Sequence, residues 1–229
     1  MTELLQIGIL PLVLTLGAYQ VGLLCQKKLK TPLCNPVLVA VVLVLGVLAL
    51  TGIEVGDYQA GTSYISWLLT PATVCLAIPM YQQLQVLRKN MSAILAGIAA
   101  GAVSSLVMIL AVCAVLKLDP VLTVSLLPKS VTTAIGAPLS EMNGGLSPVT
   151  TTVIILTGIF ASCIGSSLAK LLRITDEVAQ GVAFGTAGHV IGTSRANAIS
   201  PLTGAVSSLS LVVAGLLTAI FFPLAVSWI

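Results

Sequence analysis

Long apolar runs separated by short polar breaks set the pattern of this 229-residue chain. Crossing roughly 30 Å of hydrocarbon takes about 20 apolar residues in a helix. The runs over residues 4–24, 36–51, 71–87, 91–116, 148–168 and 201–228 approach or meet that length. They predict about six full transmembrane helices, the second and third being the shortest. A capping residue followed by proline recurs at Asn35-Pro36, Thr70-Pro71, Asp119-Pro120, Ser147-Pro148 and Ser200-Pro201. Thr175 before Asp176 and Glu177 marks a start of the same kind. The cap side chain accepts a free N–H, and proline in the first turn has no N–H to leave unpaired.

Two stretches break the pattern, one from Pro120 to Gly145 and one from Asp176 to Ser200. Each is interrupted near its middle by Pro or Gly and by polar side chains. Helix from Pro120 to Leu127 would be only ~12 Å long, about half a membrane. Irregular backbone at membrane depth survives only inside protein or beside a watery cavity. Both stretches are therefore expected to be broken or re-entrant, with a site where they lie. Pro71-Ala-Thr-Val-Cys-Leu-Ala-Ile78 also aligns without gaps to Pro128-Lys-Ser-Val-Thr-Thr-Ala-Ile135, which hints at an inverted repeat. The match makes Pro71 and Thr73 secondary site candidates. The expected fold is a single-domain, all-α integral membrane protein over residues 1–229, built like a secondary transporter.

Composition supports lipid as the main solvent. Hydrophobic residues make up 57% of the chain and charged residues 7%, against about 25% charged in soluble domains. The net charge of +3 is small and scattered, which excludes nucleic acid as a partner. Its use is topological, because Lys and Arg in short loops mark the cytoplasmic side. Lys27, Lys28 and Lys30 place the first loop inside, Glu54 and Asp57 fall outside, and Arg88 and Lys89 fall inside again. N- and C-termini are then both outside. If the first broken stretch is a hairpin, Lys170 and Arg173 lie inside. The start Met-Thr-Glu lacks a basic n-region, so the first apolar run is expected to be a span.

Five cysteines show no CxxC spacing, so neither a metal site nor a disulfide framework is expected. No GxSxG, HExxH, Walker or GxGxxG motif is present, and no enzymatic role or cofactor is expected. Lys129, His189 and Arg195 stand apart, because each falls at the interruption of a broken stretch. A cation at mid-membrane costs on the order of 3 kcal/mol or more and usually faces a cavity or a partner. Around them lie Ser130, Thr132, Thr133, Thr186, Thr193, Ser194 and Asn197. Cations, hydroxyls and half-helix N-termini together suit a small carboxylate. Two hairpins entering from opposite faces would bring Lys129 and Arg195 together near the midplane. His189 can relay a proton near neutral pH or pack as a neutral hydrogen-bond donor. Glu141 is a second proton-coupling candidate.

Ser125-Leu-Leu-Pro-Lys-Ser-Val-Thr-Thr133, then Glu141, Gly144 and Gly145, then Gly185-Thr-Ala-Gly-His-Val-Ile-Gly-Thr-Ser-Arg195 form two signature stretches. With Pro71 to Pro79 and Asn35-Pro36, they resemble the LrgB/CidB family over essentially the whole chain. The resemblance implies a bacterial inner-membrane protein of the antiholin-like class, working with a small holin-like LrgA/CidA partner. It also implies kinship to the plastid glycolate/glycerate translocator and to bacterial members linked to pyruvate and acetate. Movement of small monocarboxylates, proton-coupled, is the preferred expectation. The alternative is a regulator or pore-assembly component acting with that partner in murein hydrolase and lysis control. A homodimer or higher oligomer is expected by analogy. Two positions depart from many relatives: Ala134 stands where they carry Pro, and Ala198 where they carry an acid.

Overall fold

The structure, a computed structural model, describes residues 9–29, 35–75 and 77–229. The described residues are helical without strands and fall into two compact units divided after Leu76. The first contains α1 (Ile9–Leu29), α2 (Pro36–Thr51), α3 (Val55–Gly61), α4 (Ser63–Trp67) and α5 (Leu69–Cys75). Asn35 caps α2 by accepting the Val37 N–H at 2.9 Å. At Gly22 the backbone of Pro36 comes so close to α1 that no Cβ would fit. Thr15 gives its one hydroxyl hydrogen to the Pro11 carbonyl, so Tyr58 donates in the 2.6 Å bond that ties α3 to α1.

The second unit contains α6 (Ala77–Gln82), α7 (Leu84–Lys89), α8 (Met91–Leu116), α9 (Pro120–Leu126) and α10 (Thr133–Met142). It continues with α11 (Ser147–Leu171), α12 (Glu177–Asn197) and α13 (Pro201–Val226). Among the described residues, α1, α8, α11 and α13 are long and apolar enough to cross a membrane, and α2 is shorter. Of the run 71–87, expected as one span, the described residues are helical over α5, α6 and α7 with a one-residue turn at Gln83, and Leu76 lies outside the described residues. Capping follows the sequence at Asp119 and Ser200. It shifts elsewhere: Asp176, not Thr175, caps α12, Ser147 is already helical, and Thr70 lies within α5.

Both broken stretches fold back on themselves. In the first, α9 rises to a turn over residues 127–132 and α10 descends beside it. Gly136 of α10 lies against the Pro128 carbonyl and the Val131 side chain, with no room for a Cβ. At the base of the hairpin, past the end of α10, Gly145 lies against the hydroxyls of Ser125 and Ser140. The second stretch is α12, whose helical labels run across a reversal at His189 (φ 42°, ψ −133°). Its returning arm brings Gly192 onto the Phe184 carbonyl. Both arms lie on α13: Gly181 against Val206, Gly185 against Ser207 and Leu211, and Asn197 against Gly204.

These contacts fix the directions. Ile94 and Ile98 cluster with Val206, and Leu106 with Phe222, so α8 and α13 run parallel. The rising arm of α12 runs parallel to α13 as well. Gly158 of α11 lies on His189 and Gly165 on Phe184, so α11 runs the opposite way. Lys170 and Arg173 therefore share a face with Arg88 and Lys89, while Lys117 and Asp119 lie at the other. The first hairpin enters from the Lys117 face and the second from the Arg88 face. The expected repeat between residues 71–78 and 128–135 has no counterpart in local structure, since Pro71 is helical and Pro128 begins a turn. The matched pair of elements is the two hairpins.

This arrangement predicts the reach of a thiol reagent. With one cysteine at the exposed Leu172 position of an otherwise cysteine-free protein, an impermeant maleimide should label only after the membrane is opened. Labelling from outside intact cells would contradict the shared basic face.

Candidate functional site

The tips of the two hairpins meet halfway along α8 and α13. Ser130, at the tip of the first, accepts a hydrogen bond from Lys129 Nζ at 2.9 Å and lies 3.1 Å from Ser105 on α8. Since the ammonium can only donate, Ser130 accepts in that bond, while either hydroxyl can donate in the bond between Ser130 and Ser105. Thr186 of the second hairpin gives its hydrogen to the Val182 carbonyl of its own helix, which leaves its oxygen as an acceptor. Ser105, Ser130, Thr186 and Thr218 border a void of about 10 Å³ between the tips. That is room for a single water, with four hydroxyls to hold it.

Lys129 is half-buried and also lines a cavity of about 400 Å³ between α11 and the rising arm of α12. Thr157 lines the same cavity, whose far end reaches Leu172 and Ile174. Among the described residues no acidic side chain pairs with Lys129. Its charge is left facing the cavity.

Each tip is held from behind by hydroxyls and carbonyls. At the base of the first hairpin, Ser125 Oγ accepts the Leu146 N–H at 2.7 Å. The buried Thr150 hydroxyl on α11 lies 2.9 Å from the Ser125 carbonyl and 2.8 Å from Ser140 Oγ. One side chain thus ties both arms to α11. The second hairpin is fixed at its tip, where His189 Nε2 lies 2.9 Å from the Ile154 carbonyl. A carbonyl only accepts, so Nε2 carries the proton in this bond. Thr193 donates to the His189 carbonyl or shares its hydrogen with Ser207 of α13, each at 2.8 Å. Ile154 joins the two hairpins, its side chain against Gly136 and its carbonyl on His189.

The remaining sequence candidates divide by position. Arg195 is half-buried on the returning arm, and its Nε donates to Ser166 of α11 at 3.1 Å. It is not among the described residues that line the Lys129 cavity, so the expected meeting of Lys129 with Arg195 is replaced by that of Ser130 with Thr186. The reason is the α12 reversal. Arg195 falls six residues past the tip, about 9 Å back down the arm. Ser194, Asn197 and Glu141 are exposed, the last at the Lys117 end. Thr132 opens α10 without its side chain capping it, and Thr133 is half-buried beside it. Pro71 is exposed in the first unit, and the Thr73 side chain lies outside the described residues. Ser105, Thr157 and Thr218 escaped sequence reasoning because each lies in a long apolar helix with no interruption beside it. Only their shared depth brings them to the tips.

A sequence profile of the LrgB-like family matches residues 15–228. The chain belongs to the LrgB-like family. Both hairpins, and every residue of the junction between them, fall within that match. No solved structure matches the chain. Ala134 at the start of α10 and Ala198 after α12 are both exposed. With alanine at position 198, Arg195 is held by a hydroxyl, and no ion pair holds it among the described residues.

The Thr150 staple carries a stability prediction. Thr150→Val keeps the shape but strands the Ser125 carbonyl and the Ser140 hydroxyl, a loss of about 1–3 kcal/mol for buried polar groups. The thermal unfolding midpoint of the purified protein in detergent should fall. An unchanged midpoint would show that the staple carries nothing.

Proposed function

We propose that this LrgB-family membrane protein transports small monocarboxylates, of the glycolate, glycerate, lactate or pyruvate type, at the junction of its two hairpins. The observation that carries the reading is Lys129: a half-buried cation at a hairpin tip, bonded to one hydroxyl and facing a cavity without an acidic partner among the described residues. A carboxylate supplies the missing counter-charge. Helix α10 begins four residues after Lys129, and its first N–H groups and dipole add positive potential. Ser130 and Thr157 offer hydrogen-bonding oxygens beside it. A site bounded by hairpins from opposite faces has the geometry required for access from alternate sides.

Binding has to remain weak, because a carried ion must leave. Water at the hydroxyl-lined void and a single lysine meet that demand better than a cage of several cations. Arg195 serves this reading as a support, holding the returning arm to α11 through Ser166. The bacterial inner membrane is the proposed location, with the Arg88 face inside.

Purified protein alone in liposomes is expected to accumulate labelled glycolate or pyruvate, and Lys129→Gln should abolish uptake with normal membrane insertion. Uptake equal to the parent in Lys129→Gln would remove Lys129 from the site. No uptake alone, but uptake or leakage once an LrgA-like partner is added, would favour the regulatory, pore-assembly reading.

Proton coupling is assigned to His189 under the same proposal, since it stands at the second tip. Shuttling a proton requires the Nε2 bond to Ile154 to break and reform. His189→Gln should then lose acceleration by an inward pH gradient while substrate exchange persists. Unaltered gradient dependence would leave His189 as the tip's hydrogen-bond anchor.

A further inference from the structure

The void between the hairpin tips is bordered by hydroxyls with hydrogen bonds to spare. Hydroxyls in spanning helices commonly bond the carbonyl four residues back, as Ser208 and Ser210 do on α13. Thr218 of the same helix does not. It is buried, it borders the void, and its hydroxyl has no hydrogen-bond partner among the described residues. Ser105 and Ser130 share one hydrogen across 3.1 Å, and whichever donates, the other serine's hydrogen is left over. Thr186 spends its hydrogen on the Val182 carbonyl at 2.7 Å, so its oxygen accepts. Among the described residues no hydrogen bond joins one tip directly to the other.

One water completes this count. Its two hydrogens go to Thr186 and Thr218, and it accepts the spare serine hydrogen, about three bonds in all, as is usual for a buried water. The volume of about 10 Å³ admits one water and nothing larger. A small cation would also suit four oxygens, but Ser130 already binds the Lys129 ammonium at 2.9 Å. A cation on Ser130 would lie within about 6 Å of that ammonium, where repulsion disfavours it on the order of a hundredfold. We propose that one ordered water fills the void, bonded to the serine pair on one side and to Thr186 and Thr218 on the other. It joins the first hairpin to the second and to α13 through bonds that part without exposing apolar surface. Its role as the contact that opens when the site changes sides rests on the transport reading above, whereas the water itself does not.

The test reads the water directly. With the protein in nanodiscs, an intense X-ray pulse turns a bound water into a hydroxyl radical, which oxidises the side chains touching it. Leu106, Leu127 and Val131 line the void and are buried, out of reach of radicals from bulk water. Mass spectrometry should find them oxidised in the parent, and severalfold less in Thr218→Val and in Thr186→Val, which keep the side-chain shape. Ser208→Ala removes a hydroxyl of α13 that bonds its own helix and should match the parent. Amide exchange at Lys129 and Val131 should quicken about three- to tenfold in Thr218→Val, the worth of one lost hydrogen bond. No oxidation in the parent, no change in both valine variants, or an equal fall in Ser208→Ala would overturn the water. Suppression of oxidation by sodium or lithium chloride, relative to choline chloride, would overturn it in favour of a cation. Lost oxidation with unchanged amide exchange would overturn its joining role. Labelled glycolate uptake in liposomes is scored apart. Oxidation without uptake removes the transport reading alone, and uptake without oxidation removes the water alone.

Discussion

Backbone that stops being helical in the middle of a membrane must find hydrogen-bond partners inside the protein. Each unsatisfied N–H or carbonyl in hydrocarbon costs several kcal/mol. Two hairpins in this chain turn back at that depth, and much of the second unit answers their needs. Hydroxyls on the long helices reach the arms: Thr150 ties the first hairpin to α11, and Ser207 reaches Thr193 of the second. Glycines let the arms approach closely enough for such short side chains to reach, as where Gly185 lies on Ser207 and Leu211. Of the buried hydroxyls of α13, Ser207 reaches the returning arm, whereas Ser208 and Ser210 bond carbonyls of their own helix. The site is what remains at the tips once these needs are met, with Lys129 the charge left facing open space.

Much of this was legible in the residues. Interrupted runs of about 25 residues with Pro128 or Gly188 and Gly192 near the middle announced helices that could not cross. The basic pairs Arg88-Lys89 and Lys170 with Arg173 told which ends share a face. What the sequence could not show was azimuth and depth. Arg195 and Lys129 looked equivalent because each follows an interruption, yet a reversal at His189 sends Arg195 down toward Ser166. Ser105, Thr157 and Thr218 are hydroxyls in long apolar helices, where the common role of such a group is a bond to its own backbone.

The position of His189 joins structure to chemistry. A non-glycine residue at φ 42° and ψ −133° costs on the order of 1–3 kcal/mol. Glycine flanks it at 188 and would bear the conformation more readily. The imidazole offsets that strain by reaching the carbonyl of Ile154, a residue of α11 that touches both hairpins. A strained tip held by two side-chain bonds, this one and that of Thr193 to the His189 carbonyl, is a natural place for movement to begin.

The hairpin of α12 also constrains how the protein is assembled. Its two arms are each too short, and too rich in Gly and Thr, to be taken up by lipid as an independent segment. They become stable in the membrane only against α11 and α13, and α13 follows them in the chain. During synthesis the hairpin must therefore wait, outside hydrocarbon or loosely at its surface, until the ribosome has released the helix that receives it. Insertion here is a late docking event, completed by a downstream helix and not by the order of translation.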